Sequence, residues 1–227
     1  MAPRPGRLVV FEGAEGAGKT TQLRRLAARL ASAGVAHRVV REPGHTPVGD
    51  EIRRLLLDPA TDLVPRAEAL LFMASRAQLV ERELRPALAA GEVVLADRFF
   101  LSTYAYQGAG RGLPLEALRA ANAVATVGLV PDATLLLDLP VADGLARADA
   151  RGARDRMERS GDEFHARVAA AFADFARPAW QAEHPEVGPV LVIDARGSED
   201  DVAARIGEVL ARRWPETFAL SMESHQA

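Results

Sequence analysis

Cysteine is absent from this chain of 227 residues. The chain therefore has no disulfide framework, no thiolate metal site and no cysteine nucleophile. Long apolar runs are also missing, and none approaches the roughly 20 residues of a membrane-spanning helix. The net charge of -3 gives no reason to expect binding to nucleic acid or to a membrane surface. With 48% hydrophobic residues, the composition is typical of one α/β domain, and we expect a cytoplasmic enzyme.

Lysine is almost absent as well. Lys19 is the only lysine among 28 basic residues, and all the others are arginine. A compact ammonium is thus kept at one position, where the planar fork of a guanidinium would not fit among phosphates. The five histidines are scattered without the spacing of metal ligands, so we assign them no role.

The stretch that ends at Lys19 and Thr20 fits the phosphate-binding loop G-x-x-x-x-G-K-[ST]. An apolar run at Leu8–Phe11 predicts a buried strand before it, and a helical pattern follows to about Leu30. The glycines let backbone N–H groups point at phosphate oxygens, and the helix N-terminus favours anions. Lys19 would reach the β- and γ-phosphates, and the Thr20 hydroxyl would bind Mg²⁺. The predicted ATP-binding residues are Gly13, Ala14, Glu15, Gly16, Ala17, Gly18, Lys19, Thr20 and Thr21.

Strands and helices alternate along the rest of the chain. Apolar runs predict strands at 37–41, 92–97, 134–138 and 190–194. Periodic patterns predict helices at about 48–57, 66–90 and 114–126, a helix that ends near Gln181, and a last helix from Ser198 to about Arg213. This alternation predicts a five-stranded parallel sheet flanked by helices. We expect a single domain at 7–214, an N-terminal tail at 1–6 that is too polar for a signal peptide, and a C-terminal tail at 215–227.

Asp97 and Arg98 directly follow a predicted strand. A carboxylate at this edge can bind Mg²⁺, and a guanidinium can clamp phosphate with two hydrogen bonds. A helix-capping aspartate followed by a solvated arginine would show the same pattern. Because a phosphate-binding loop is predicted at the same edge of the sheet, the functional interpretation is favoured.

Phe72 and Arg76 are four residues apart on a predicted helix and so share a face. Such a pair can stack on a nucleobase and hydrogen-bond to its edge. A core phenylalanine beside a solvent-facing arginine has the same spacing, and spacing alone favours that alternative.

Arginines are dense between residues 147 and 159, and acidic residues alternate with them. This pattern indicates either a salt-bridged, solvated surface or a lid, at about 147–160, that closes over the transferring phosphate. The arginines are Arg147, Arg151, Arg154, Arg156 and Arg159.

Several segments, in this order, resemble the thymidylate kinases, specifically the bacterial type with an acidic phosphate-binding loop and a basic lid. They are Phe11–Thr21, Arg41–Gly44, Leu55–Asp58, Phe72 with Arg76, Asp97–Phe99, Ser102–Thr103, Ala105–Gly108, and Ala150–Gly152 with Asp155–Arg156. The resemblance extends from about Leu8 to Arg213. Many NTPases share the loop, whereas the ordered set is specific.

The resemblance implies a nucleoside monophosphate kinase-like fold, a homodimer, and transfer of the ATP γ-phosphoryl group, with Mg²⁺, to the 5′-phosphate of dTMP. It implies Lys19, Asp97, Arg98, Arg151 and Arg156 as catalytic residues, the last pair in the lid. Thr20 and Asp97 would bind the metal. For the phosphate and sugar of the substrate, the resemblance places Arg53 and Arg98 on the acceptor phosphate, Glu15 near the 3′-hydroxyl and Tyr106 against the 2′ position. For the base, it places Phe72 on the face of thymine, and Arg76, Thr103 and Gln107 at the edge of thymine.

Two residues depart from the family pattern. His45 stands where a second glycine is frequent, and Tyr104 replaces a smaller or polar residue of some relatives. A deoxynucleoside kinase or another nucleoside monophosphate kinase is the alternative function. A nucleoside kinase acts on an uncharged hydroxyl, so Arg53 and Arg98 favour an acceptor that already carries phosphate. A GTPase is excluded, because its Asn-Lys-x-Asp motif needs a second lysine.

Overall fold

Five parallel strands form the centre of the computed structural model, which describes residues 5–140, 143–144, 156–157 and 160–219. The strands are β1 (Arg7–Glu12), β2 (His37–Arg41), β3 (Val93–Asp97), β4 (Ala133–Asp138) and β5 (Val190–Asp194). Their spatial order is β2-β3-β1-β4-β5, and all neighbours are parallel. The predicted five-stranded α/β fold is confirmed.

Helices cover both faces of the sheet, so both faces are buried. On β1, Leu8 and Val10 pack into one hydrophobic cluster, whereas Val9 and Phe11 pack into another, as the alternation of side chains along a strand requires. The helices are α1 (Lys19–Ser32), α2 (Pro47–Leu57), α3 (Pro65–Leu79), α4 (Arg85–Ala89), α5 (Phe100–Thr103), α6 (Leu115–Thr126), α7 (Asp162–Phe175), α8 (Pro178–Glu183), α9 (Glu199–Arg213) and α10 (Pro215–Phe218). None of these helices is long and apolar enough to cross a membrane.

The helix predicted at about 66–90 is interrupted by a π-helical turn. Val80–Leu84 forms this turn between α3 and α4. The helix predicted to end near Gln181 is also divided, because Pro178 lacks the N–H that would continue α7 and instead begins α8. Ser198 caps α9 through a capping box with Asp201, as expected from the sequence.

The segment after Asp97 is helical, which the sequence did not predict. α5 continues into a π-helical segment, Tyr104–Gly110. The Glu12 carboxylate accepts hydrogen bonds from the backbone N–H groups of Phe99 and Ser102. Because this cap comes from a residue on β1, no local sequence signal reveals where the helix starts.

Packed structure extends past residue 214, where we expected the domain to end. α10 follows Trp214, and both Trp214 and Phe218 are buried in the core cluster on the α1 side of the sheet. A single helical turn with one large apolar residue is too short to show periodicity, which is why residues 215–218 were assigned to a tail.

Candidate active site

The phosphate-binding loop turns through three glycines with positive φ. These are Gly13 (139°), Gly16 (73°) and Gly18 (89°). A Cβ atom on Gly13 would lie 2.6 Å from the backbone oxygen of Leu137, so the turn needs glycine for space as well as for conformation. Gly18 ends the loop and is the N-cap of α1, which directs the first N–H groups of α1 to this site.

Lys19 is buried at the base of this loop. Its ammonium donates hydrogen bonds to the backbone oxygens of Gly13 (2.9 Å) and Ala14 (2.8 Å). Burial, with a further contribution from the guanidinium of Arg98, lowers the pKa of Lys19 to about 8, although nearby carboxylates oppose the shift. The loop thus holds a desolvated cation whose charge an anionic ligand would stabilise.

Thr20 and Asp97, the two predicted metal ligands, are in contact. The Thr20 hydroxyl donates to Oδ2 of Asp97 over 2.7 Å, which joins the start of α1 to the end of β3. Hydroxyl and carboxylate oxygens are ligands that Mg²⁺ prefers, with phosphates and waters completing its shell. Among the described residues, no group of three or more histidine, aspartate or glutamate side chains could hold a metal. The Thr20 and Asp97 oxygens fit an ion whose other ligands are phosphates and waters.

Arg98 leaves the end of β3 in a left-handed conformation, with a φ of 73°. Its guanidinium donates to Ser102 Oγ (3.0 Å), lies 3.5 Å from a Glu15 carboxylate oxygen, and covers the Tyr106 ring. Burial opposes the charge of Arg98, but Tyr106, Glu15 and other acidic groups outweigh it and raise the pKa of the guanidinium. This arginine remains cationic beside the phosphate-binding loop.

Arg76 is buried, in contrast to the solvent-facing arginine that spacing alone favoured. It pairs with both carboxylate oxygens of Glu42 and donates to Asn122, to the backbone oxygen of Phe99 and to Thr103. Nη1 carries two N–H groups, of which Asn122 accounts for one. Glu42 is a residue that sequence reasoning missed. The only signal is its place in the Arg41–Gly44 segment.

Phe72 is only half-buried and belongs to neither core cluster. It faces an open cavity of about 610 Å³, a volume suited to a small-molecule ligand. The core interpretation of Phe72, which spacing alone favoured, is therefore wrong. Its side chain borders the space that a ligand would occupy.

A single cavity gathers the predicted substrate residues and much of the phosphate-binding loop. All the predicted substrate residues line it: Glu15, Arg53, Phe72, Arg76, Arg98, Thr103, Tyr106 and Gln107. From the loop and its partner strand, Gly16, Gly18, Lys19, Thr20, Thr21 and Asp97 line it too. Burial raises the pKa of Tyr106, and its hydroxyl is buried without a hydrogen-bond partner among the described residues. The arrangement is suited to phosphoryl transfer between two nucleotides.

Comparison with known proteins identifies the family. The family model described as thymidylate kinase matches residues 11–206. The chain is 51% identical over 208 residues to the thymidylate kinase of Deinococcus radiodurans, covering 92% of this chain and 98% of that relative. It is 46% identical over 209 residues to the thymidylate kinase of Caulobacter vibrioides, covering 92% and 97% of the two chains. The chain belongs to the thymidylate kinase family. It is therefore an enzyme, and the resemblance recognised in its sequence is confirmed.

The two departures from the thymidylate kinase pattern have different consequences. His45 has a φ of 70°, the left-handed conformation that glycine adopts readily, and its N–H donates to Asp50 Oδ1 (3.0 Å). The turn thus keeps a glycine-like backbone. Tyr104 is buried, donates its hydroxyl to Glu186 (3.0 Å) and does not line the cavity. The substitution at Tyr104 therefore does not reshape the cavity wall directly.

The lid arginines implied by the thymidylate kinase resemblance are not both described. Arg151 lies outside the described residues. Arg156 is described but does not line the cavity, because its Nε donates to the backbone oxygen of Leu56 (2.8 Å) and its Nη1 lies 2.8 Å from Glu68 Oε2. Its position does not support a contact with the transferring phosphoryl group. Met157 and His165 line the cavity instead, and no sequence pattern indicated either.

Proposed function

We propose that this enzyme transfers the γ-phosphoryl group of ATP to the 5′-phosphate of dTMP and releases dTDP. One observation carries the proposal: the phosphate-binding loop and a half-buried aromatic ring line the same cavity. Phosphoryl transfer depends mainly on positioning and on neutralising charge, with little covalent chemistry for the protein. A cavity that combines cations, oxygen ligands and a stacking surface meets these needs.

On the donor side, Lys19 neutralises the β- and γ-phosphates while the loop N–H groups bind their oxygens. In support, the Lys19 ammonium donates to two loop carbonyls and so already lies inside the loop that would hold the phosphates. Thr20 and Asp97 would hold Mg²⁺ through their oxygens. When bound, this ion would neutralise the negative charge that develops on the phosphates.

On the acceptor side, Arg53 and Arg98 hold the 5′-phosphate of dTMP. Both line the cavity, and Arg98 is kept cationic by the acidic groups around it. A guanidinium binds phosphate with two parallel hydrogen bonds, which aligns the attacking oxygen. Glu15 forms an ion pair with Arg98. In our proposal, the Glu15 carboxylate contacts the 3′-hydroxyl of the sugar.

Base recognition rests on residues of α3, α5 and the π-helical segment. Phe72 stacks on the pyrimidine, while Arg76, Thr103 and Gln107 meet its edge. In support, Arg76 is held rigidly by Glu42 and retains one N–H on Nη1 for an acceptor. Tyr106 crowds the 2′ position and disfavours ribonucleotides. Arg151 remains our candidate for charge neutralisation by the lid.

An acceptor panel tests the proposal. With ATP and Mg²⁺, we expect dTMP to react fastest and dUMP more slowly, because a methyl group in an apolar contact contributes about 1–3 kcal/mol. We expect dAMP, dGMP and thymidine to be inactive. The alternative function, a deoxynucleoside kinase, predicts the reverse for thymidine. Efficient phosphorylation of thymidine without use of dTMP would overturn our proposal, and steady turnover of Lys19→Met would identify a contaminating kinase.

We also infer that the enzyme is a cytoplasmic homodimer. α3 and α6 pack side by side and together leave large apolar side chains exposed, with Leu70 at 63% and Val124 at 81% exposure. Exposed apolar residues on two helices that pack together are typical of an interface between copies of a chain.

A further inference from the structure

Glu68 is a fully buried carboxylate behind the wall of the cavity. It lies on α3 and does not line the cavity itself. Three donors from other segments converge on it. Gln107 Nε2 donates to Oε1 over 2.9 Å, while Nη2 of Arg111 and Nη1 of Arg156 lie 3.2 Å and 2.8 Å from Oε2. A buried carboxylate held by two guanidinium groups has little freedom to rotate.

The chemistry of Glu68 determines which way the Gln107 amide points. An amide group presents a donor and an acceptor of nearly equal shape, and only its partners decide its orientation. A carboxylate only accepts hydrogen bonds. Gln107 must therefore turn its NH₂ group to Glu68, which leaves the amide oxygen as its acceptor on the cavity side.

An acceptor at this position distinguishes pyrimidines. Thymine and uracil carry a hydrogen on N3, whereas cytosine has a lone pair at N3 and an amino donor at C4. The oxygen of Gln107 would accept from N3–H and repel the cytosine lone pair. The remaining N–H on Nη1 of Arg76 is a donor that suits O4 and not the cytosine amino group.

We propose that Glu68 is a positioning residue for base choice, which fixes the Gln107 amide so that the cavity accepts thymine and rejects cytosine. This inference rests on the proposed function. It assigns part of the base specificity to a side chain that does not touch the substrate.

The test is Glu68→Gln in the full-length protein. The new amide can donate or accept, so Gln107 can adopt either orientation and can meet cytosine. We expect the ratio of the dCMP to the dTMP dissociation constant, measured by calorimetry, to fall about tenfold, the discrimination expected of one hydrogen bond. KM for dTMP should rise while kcat changes less. Glu51→Gln, the same change in an exposed ion pair on α2, should leave the ratio unchanged.

A double-variant cycle separates positioning from general damage. In a Gln107→Leu background, the amide is gone and Glu68→Gln should no longer alter the ratio. If the change persists there, or if Glu68→Gln alone leaves the ratio unchanged, the proposal is wrong. Should Glu68→Gln not fold, Glu68→Asp withdraws the carboxylate by one methylene and should lower the ratio likewise. Gln107→Leu alone must also lower it. Absence of dTMP turnover in the unmodified protein would refute the proposed function instead.

Discussion

At the scale of single residues, the site depends on the Lys19 ammonium, a positive charge that is buried away from water. Lys19 is buried, and its lowered pKa records the cost of holding a charge out of water. ATP phosphates would offset that cost, because they bring further negative charge next to the ammonium. Function and stability therefore oppose each other at this position.

We expect Lys19→Met to be both inactive and more stable than the unmodified protein. The pKa falls from 10.5 to about 8 in the folded state, so folding favours the neutral amine. At pH 7, which is below both pKa values, the retained charge costs about 3 kcal/mol. Urea unfolding should show a gain of this size, while turnover falls on the order of 10³-fold. Lys19→Arg should also be inactive because of its bulk. Near-full activity of Lys19→Arg would contradict this account.

The affinity for ATP should weaken above about pH 8. Above its pKa the Lys19 amine is neutral in the free enzyme, and ATP must then bind together with a proton. The dissociation constant should rise by up to about tenfold for each pH unit between 8 and 10. Calorimetry in two buffers of different ionisation enthalpy would measure the proton uptake. A pH profile shared with Lys19→Met would assign the effect to another group.

Phe72→Ala should affect substrate affinity more than stability. The half-buried ring contributes less to packing than a core phenylalanine, so we expect an unfolding cost of about 1 kcal/mol, against about 3–5 kcal/mol for the buried Phe100→Ala. Loss of one stacking contact should raise KM for dTMP about 10- to 100-fold. Similar stability losses in the two variants, with KM unchanged, would show that Phe72 contributes to packing and not to substrate binding.

At the scale of elements, buried polar contacts attach α3 to the end of β2, to α5 and to the π-helical segment. Glu42 follows β2 and pairs with Arg76 of α3, while Arg76 also contacts Thr103 of α5. π-Helical turns are frequent at functional sites, and here one supplies Tyr106 and Gln107 to the cavity. The elements around the base are thus positioned by polar contacts rather than by apolar packing alone.

Removing the Glu42 carboxylate should destabilise the whole domain. Glu42→Ala would leave the Arg76 guanidinium buried without its counter-ion, a change that costs about 3–5 kcal/mol. Chemical denaturation measures the loss. Glu51→Ala, which breaks an exposed pair on α2, should cost less than about 1 kcal/mol. Equal losses of unfolding free energy in the two variants would show that the buried pair stabilises the protein no more than the exposed pair does.

At the scale of the whole molecule, the apolar surface of α3 and α6 predicts assembly. Val124→Glu would place a charge in the proposed dimer interface, and we expect a monomer by light scattering at concentrations where the unmodified protein is a dimer. Val192→Glu, at an exposed position of the edge strand β5, should remain dimeric. A monomeric unmodified protein, or a dimeric Val124→Glu, would contradict the assignment of this surface.

The phosphate-binding loop and the five strands were predictable from the sequence because their signals are local. The loop is contiguous from Gly13 to Thr20, and each strand contains a short apolar run, only two valines long in β2. The family resemblance, carried by ordered short segments, predicted the substrate residues that line the cavity, but not Met157 or His165. These are properties of neighbouring residues, which a linear pattern records.

Only the tertiary structure decided which polar side chains come into contact. Glu42 and Arg76 are 34 residues apart, and Glu68 and Gln107 are 39 apart. Such pairs form when separate elements pack, and burial then makes each partner necessary to the other. The same packing pairs Arg156 with Glu68 outside the cavity, and it brings the Glu12 carboxylate to the N-terminus of α5. The sequence thus specified the chemistry of the site, and packing determined which side chains orient it.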